Sequence, residues 1–296
     1  MNGFDDLLTN TPAEQNGGPQ LSKEDYAAKK QGEREAVFTL SDQTAMDVAQ
    51  DGSMFQQYLD VQGRFDRYSA VNALLITAQK PDASRLGDFD SWKRLGGFVK
   101  PGQTAISILE PHTFTKEDGT PGTGYNVKKV FDVSQISARM LGTKPPLPPN
   151  ERQLLKALIS NAPVKISGVD QLPGGLGAMT NPETGEISVR RGMEFADTFR
   201  SVAQELAYAD LTTGPDTQAD PQFSAYCASY LLCKKYGVDT KDFSFINAPD
   251  LFDGMDAREV KGELSQIRDV AGDISGRMSR QLDAANRAAQ ARTEAR

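Results

Sequence analysis

Residues 142–149 read Gly-Thr-Lys-Pro-Pro-Leu-Pro-Pro, with four prolines between positions 145 and 149. Each proline fixes its φ and lacks the amide hydrogen that a helix interior or a central strand needs. The stretch is therefore expected to run as a semi-rigid extended spacer, dividing the chain into two folding units. The first is expected over residues 36–141 and the second over 151–284, with the linker at 142–150. Residues 1–35 begin polar and rich in Asn, Gly, Pro and Gln and end in alternating charges, so a disordered or loosely helical tail is expected there. Residues 285–296, rich in Ala, Arg and Gln, are expected to fray.

Both units read as α+β. In the first, apolar residues at helical spacing run from Met54 through Phe65, Tyr68, Val71 and Leu75 to Ala78, with a break near Gly63 and a stop at Pro81. Phe89–Leu95 reads as a short helix closed by Gly96-Gly97. Thr104–Pro111 alternates as a strand, and a glycine-rich loop leads to a second strand at Tyr125–Val133, making a long hairpin. His112, just past that first strand, is expected on a surface loop. The second unit is mainly helical with a small sheet. A helix at Glu151–Asn161 and a strand at Val164–Ile166 precede a hairpin turning at Asn181-Pro-Glu-Thr-Gly185. A helix from Phe195 to Asp210 follows, then another over 219–236 ending at Gly237. Val260, Leu264, Ile267, Val270, Ile274, Met278 and Leu282 recur at three- and four-residue intervals, the stripe of one long amphipathic helix.

Composition removes several classes of function. No run of the 296 residues approaches the apolar length that spans a bilayer, and the N-terminus has no leader pattern, so no membrane partner and a cytoplasmic location are expected. The net charge of −7 opposes bulk electrostatic coating of nucleic acid but leaves room for a local basic surface. Between Arg64 and Lys100 seven Lys and Arg face four Asp. Cys227 and Cys233 stand on largely opposed faces of one expected helix, which suits neither a disulfide nor a metal pair.

The helix at Phe195–Asp210 carries Gln204-Glu-Leu-Ala-Tyr208, the frame of the H-E-x-x-H zinc-peptidase motif without its ligands. In that motif two histidines at i and i+4 bind zinc and the glutamate between them serves as general base. Here Gln204 and Tyr208 stand at the ligand positions and only Glu205 remains. With one histidine in the whole chain, His112, no rearrangement supplies two imidazoles. Alone, these five residues also suit an ordinary amphipathic helix.

Two stretches together resemble the ArdC-type antirestriction proteins of plasmids and other mobile genetic elements. The first is Arg64–Pro81 followed by Phe89-Asp-Ser-Trp92-Lys-Arg-Leu-Gly96 and Val99-Lys-Pro-Gly102, which resembles that family's N-terminal single-stranded-DNA-binding domain. The second is Phe199–Ala209 with Tyr230–Asp239 downstream, which resembles its zincin-like metallopeptidase domain. The resemblance spans roughly residues 50–280. It sets Gln204 and Tyr208 where the family has histidines, and Tyr226 at the position of the acidic third ligand. Glutamine and tyrosine are poor zinc donors, so no metal, no cofactor and no catalytic residue are expected. Without a metal, Glu205 has no polarised water to deprotonate. Tyr208 and Tyr226 are expected to hydrogen-bond it instead.

Single strands are held by cations tracking phosphates and aromatics stacking on bases. The resemblance directs that chemistry to Arg64, Arg67, Lys80, Lys93 and Lys100 for the backbone, and to Tyr68 and Trp92 for stacking. Asn72 would sit with Arg64 and Tyr68 at i, i+4 and i+8 on one helix face. Trp92 and Asn72 also suit a core residue and a cross-link within the fold. The expected function is a non-enzymatic single-stranded-DNA-binding protein of antirestriction or DNA-protection type, its peptidase-like half inert. Two alternatives stay open: an interaction module whose old cleft grips a host protein, and a metallopeptidase with an unusual ligand set.

Overall fold

The computed structural model describes residues 22–137, 149–160, 162–213 and 220–294. The expected disordered start and nearly all of the proline-rich linker lie outside these residues. The first half opens with three helices, α1 (Lys23–Gln50), α2 (Gly52–Arg64) and α3 (Ala70–Gln79), each started by a side-chain cap from Ser22, Asp51 or Ser69. Strand β1 (Leu86–Gly87), helix α4 (Phe89–Arg94), β2 (Phe98–Val99), β3 (Ile106–Thr115), β4 (Pro121–Asp132) and β5 (Ile136–Ser137) complete it. β3 and β4 form the expected hairpin, longer than its sequence signals suggested, in a sheet of order β1-β4-β3. β3 continues past Pro111 because it is an edge strand, where a missing amide leaves no ladder bond unmade. His112 therefore lies within β3, opposite Gly124, and not on a loop.

The second half contains α5 (Glu151–Ile159), β6 (Ile166–Val169), β7 (Ala178–Thr180), β8 (Ile187–Arg190), α6 (Phe195–Thr213), α7 (Pro221–Tyr236), α8 (Ala248–Leu251) and α9 (Ala257–Glu294). Its sheet has order β6-β8-β7, with β6 parallel and β7 antiparallel to β8. α7 ends at Gly237, whose φ of 70° is the left-handed conformation that closes helices. α9 continues well past Ala284, where fraying was expected, because an Ala-, Arg- and Gln-rich sequence has high helix propensity.

The fold is α+β in two domains, and the two share one apolar core. Phe55 of α2 packs against Phe223, Phe245 and Phe252, with ring centroids 5.5 to 6.0 Å apart. Around that cluster Tyr230 donates to Asp60 at 2.7 Å, Lys234 pairs with Asp60 at 2.8 Å, and Lys235 pairs with Asp66 at 2.6 Å. The approach is close enough that a Cβ on Gly52 would lie 2.3 Å from the Phe245 carbonyl oxygen. Only glycine fits there.

Candidate nucleic-acid interface and the peptidase-like face

A groove of about 830 Å³ opens between α1, α3, the β3–β4 hairpin and α9. Its geometry starts with two amides. Asn72 Nδ2 donates to Leu109 O at 2.8 Å, and Leu109 N donates to Asn72 Oδ1 at 2.8 Å. Two turns on, Gln79 does the same for Ser107, giving to its carbonyl at 2.9 Å and accepting from its amide at 2.8 Å. α3 thus supplies side-chain partners for backbone groups on the edge of β3 that no neighbouring strand satisfies. Asn72 is buried in this role, its side-chain amide committed to cross-linking the fold.

The chain leaves helix at Phe65 and resumes it at Ala70, so Arg64, Tyr68 and Asn72 do not share one helix face as their spacing suggested. Between them runs a loop held by Gln62 of α2, whose Nε2 donates to Phe65 O and Tyr68 O, both at 3.2 Å. That buried amide poses Arg67 and Tyr68 at the groove wall. Tyr68 is half-buried, its ring edge-on to Phe65 at 5.8 Å, and burial pushes its phenol up. Arg67 is exposed and has no ion-pair partner among the described residues. Across the groove Phe38 and Tyr125 meet edge-to-face at 6.2 Å. Lys128 reaches Glu110 at 2.7 Å and Asp88 at 3.4 Å, and its hydrogen bond to Glu110, with that charge, raises its pKa.

The other residues nominated from sequence are dispersed. Trp92 is 1% exposed, its indole Nε1 donating to Phe131 O at 2.9 Å and its ring covered by Arg85 at 5.3 Å. It is a core residue with no face left for a base, because α4 turns it under β1 and β4. Arg64 Nε bonds Asp60 O at 3.2 Å, and its guanidinium also bonds Pro81 O. Lys80 pairs with Asp82 at 3.0 Å beside a separate depression, and Lys100 donates to Ser134 O at 2.9 Å. Lys93 is exposed on α4 and does not line the groove. Of the eight, only Arg67, Tyr68 and the buried Asn72 line it. Phe38, Tyr125, Lys128 and Arg268, which also line it, were not nominated. Tyr125 and Lys128 on one strand carried a local signal, whereas Arg268 lies far down the chain and carried none.

The helix with the altered zinc-peptidase frame lies in the other half. α6 carries Gln204, Glu205 and Tyr208, and Glu205 Oε2 accepts from Thr180 N at 2.8 Å and from Thr180 Oγ1 at 2.6 Å. The carboxylate is thus committed to the end of β7, and not to Tyr208 or Tyr226 as expected. Tyr226 accepts from Ser244 N at 2.8 Å and packs against Phe243 at 4.8 Å and Phe245 at 5.5 Å. Burial raises its pKa, which favours the protonated phenol, a weak metal donor. Among the described residues no three His, Cys, Asp or Glu side chains converge as a metal site. The donor set at Gln204, Tyr208 and Tyr226 does not fit zinc. Cys227 and Cys233 are free and buried, and burial pushes the Cys233 thiol up to about 12.

Residues 42–136 match the family model described as the N-terminal domain of anti-restriction factor ArdC. The fold is shared with crystal structures of the antirestriction ArdC protein from the R388 plasmid. The metal-free structure is 18% identical, with 72% of this chain and 86% of that chain covered at a TM-score of 0.50. The Mn(II)-bound structure is 16% identical, with 75% and 97% covered at a TM-score of 0.51. No curated protein matches the chain. Residues 42–136 are similar to the ArdC N-terminal domain, and the chain as a whole shares the fold of the ArdC structures.

Proposed function

We propose that this ArdC-like protein binds single-stranded DNA in the groove beneath Tyr68, in the antirestriction service of a mobile genetic element, and that its peptidase-like half does not cleave peptides. The observation that carries the first part is the loop at Phe65–Ser69, where a buried amide fixes an aromatic ring beside an exposed arginine that has no ion-pair partner among the described residues, both on an open groove. Stacking accepts any base and a guanidinium accepts any phosphate, so the pair suits binding without sequence preference. Duplex DNA, its bases already stacked on one another, offers Tyr68 no face. The second part rests on donor chemistry: Glu205 is engaged by Thr180, and its helical neighbours are glutamine and tyrosine.

The test is a salt-dependent titration of the full chain with single-stranded and duplex oligonucleotides. Preference for the single strand is expected, with a log–log salt slope of a few phosphate contacts. Tyr68→Ala is expected to weaken single-strand binding by about 1–3 kcal/mol, the worth of one stacked base, while Tyr68→Phe, which keeps the ring, is expected to bind as the wild type does. Equal and negligible binding to both oligonucleotides would overturn the reading.

A further inference from the structure

We propose that Arg268 of α9 holds a phosphate of the bound strand, so that the nucleic-acid site is completed by the peptidase-like half. The inference rests on the groove reading above and adds a residue and a domain to it. Ser265 and Arg268, one turn apart on α9, line the same groove as Arg67 and Tyr68. The Arg268 guanidinium is incompletely used. Its Nη1 pairs with the neighbouring Asp269, an exposed side chain, while its Nε is buried without a hydrogen-bond partner among the described residues. The side chain remains partly exposed where it lines the groove, so the outer, Nη end of the guanidinium can meet a phosphate oxygen while the buried Nε anchors it against the fold. Arg67 and Tyr68 line the same groove, so a strand stacked on Tyr68 would have cations from both halves available to its phosphates. No helix of the first half supplies a cation equivalent to Arg268 here: α1 contributes Phe38, and α3 contributes Val71 and Asn72.

The experiment compares full-length Arg67→Ala, Arg268→Ala, Arg268→Gln and Arg280→Ala in titrations with labelled oligothymidylate over a range of salt. Arg280, exposed on the same helix and outside the groove, controls for loss of one charge. Arg268→Ala is expected to lose about tenfold in affinity and to lower the log–log salt slope by about 0.7, the worth of one single-strand phosphate contact. Arg268→Gln, close in size, should show the same loss and guards against a folding defect in the alanine variant. Wild-type affinity and slope in the Arg268 variants, with Arg67→Ala weakened, would overturn the inference and leave the groove standing. Absence of single-strand binding by the wild type, or an unweakened Arg67→Ala, would overturn both.

Discussion

At the scale of single residues, the side chains most eye-catching in the sequence are occupied by the fold. Trp92, Asn72 and Glu205 each spend their polar atoms on backbone groups of another element. Residue type announces such chemistry, but the partner lies tens of positions away and leaves no local trace. Glu205 offers a direct check. Both Thr180 donors converge on one oxygen, which a glutamine carbonyl can replace. Glu205→Gln is therefore expected to lose about 1 kcal/mol in chemical denaturation, the charge-assisted part of two bonds. Glu205→Ala leaves a half-buried amide and hydroxyl without an acceptor and is expected to cost more, roughly 1–3 kcal/mol. Neither change should alter oligonucleotide binding. A glutamine variant as unstable as the alanine, or one that binds DNA poorly, would mean that the carboxylate does more than brace β7.

At the scale of elements, most of the architecture was legible because apolar periodicity and punctuation agree. Gly96 after α4, Gly237 after α7 and the Asn-Pro-Glu-Thr-Gly turn between β7 and β8 all stand where the spacing puts them. The break after Arg64 was blurred. Gly63 is a weak signal placed inside α2, and the loop that follows is held by a glutamine side chain no periodicity reports. β3 was cut short at Pro111 since only its edge position permits the proline. Asp132, at the end of β4, ties three segments together. It accepts from Ser84 N at 2.7 Å, Arg85 N at 2.9 Å and Ser134 N at 2.8 Å. Burial alone would raise its pKa, but bonds from the Ser134 side chain and from the amides of Arg85, Ser84 and Ser134 outweigh it and hold the carboxyl at about 2. A carboxyl depressed in the folded state stabilises above its unfolded value of about 3.9, and that stability is lost as pH falls toward 2. Asp132→Asn is expected to lower stability by about 2 kcal/mol at neutral pH and to flatten the acid limb between about pH 4 and 2. Parallel acid limbs in wild type and variant, read by denaturant melts, would rule this out.

At the scale of the whole molecule, the two units divided by the proline run meet again in space. The core runs from Ala45 to Met278 without a gap between halves, and Asp60 of α2 and Asp66 of the loop that follows it are bound by Tyr230, Lys234 and Lys235 of α7. The linker's composition forecast two units and said nothing of the surface between them, since the aromatic residues that build it are spread over both halves. Calorimetry of the full chain is therefore expected to show one cooperative transition, with calorimetric and van't Hoff enthalpies in agreement. Two separated transitions would show that the halves melt independently. The placement of Trp92 makes the same question accessible to optical spectroscopy. The chain has one indole, sealed beneath Arg85 in the first half, and none in the second. Its emission should red-shift only when that half opens to water, while far-ultraviolet circular dichroism weighs the helices of both. Superimposable fluorescence and dichroism curves along a denaturant series would mean that a lamp fixed in one half registers the collapse of the other.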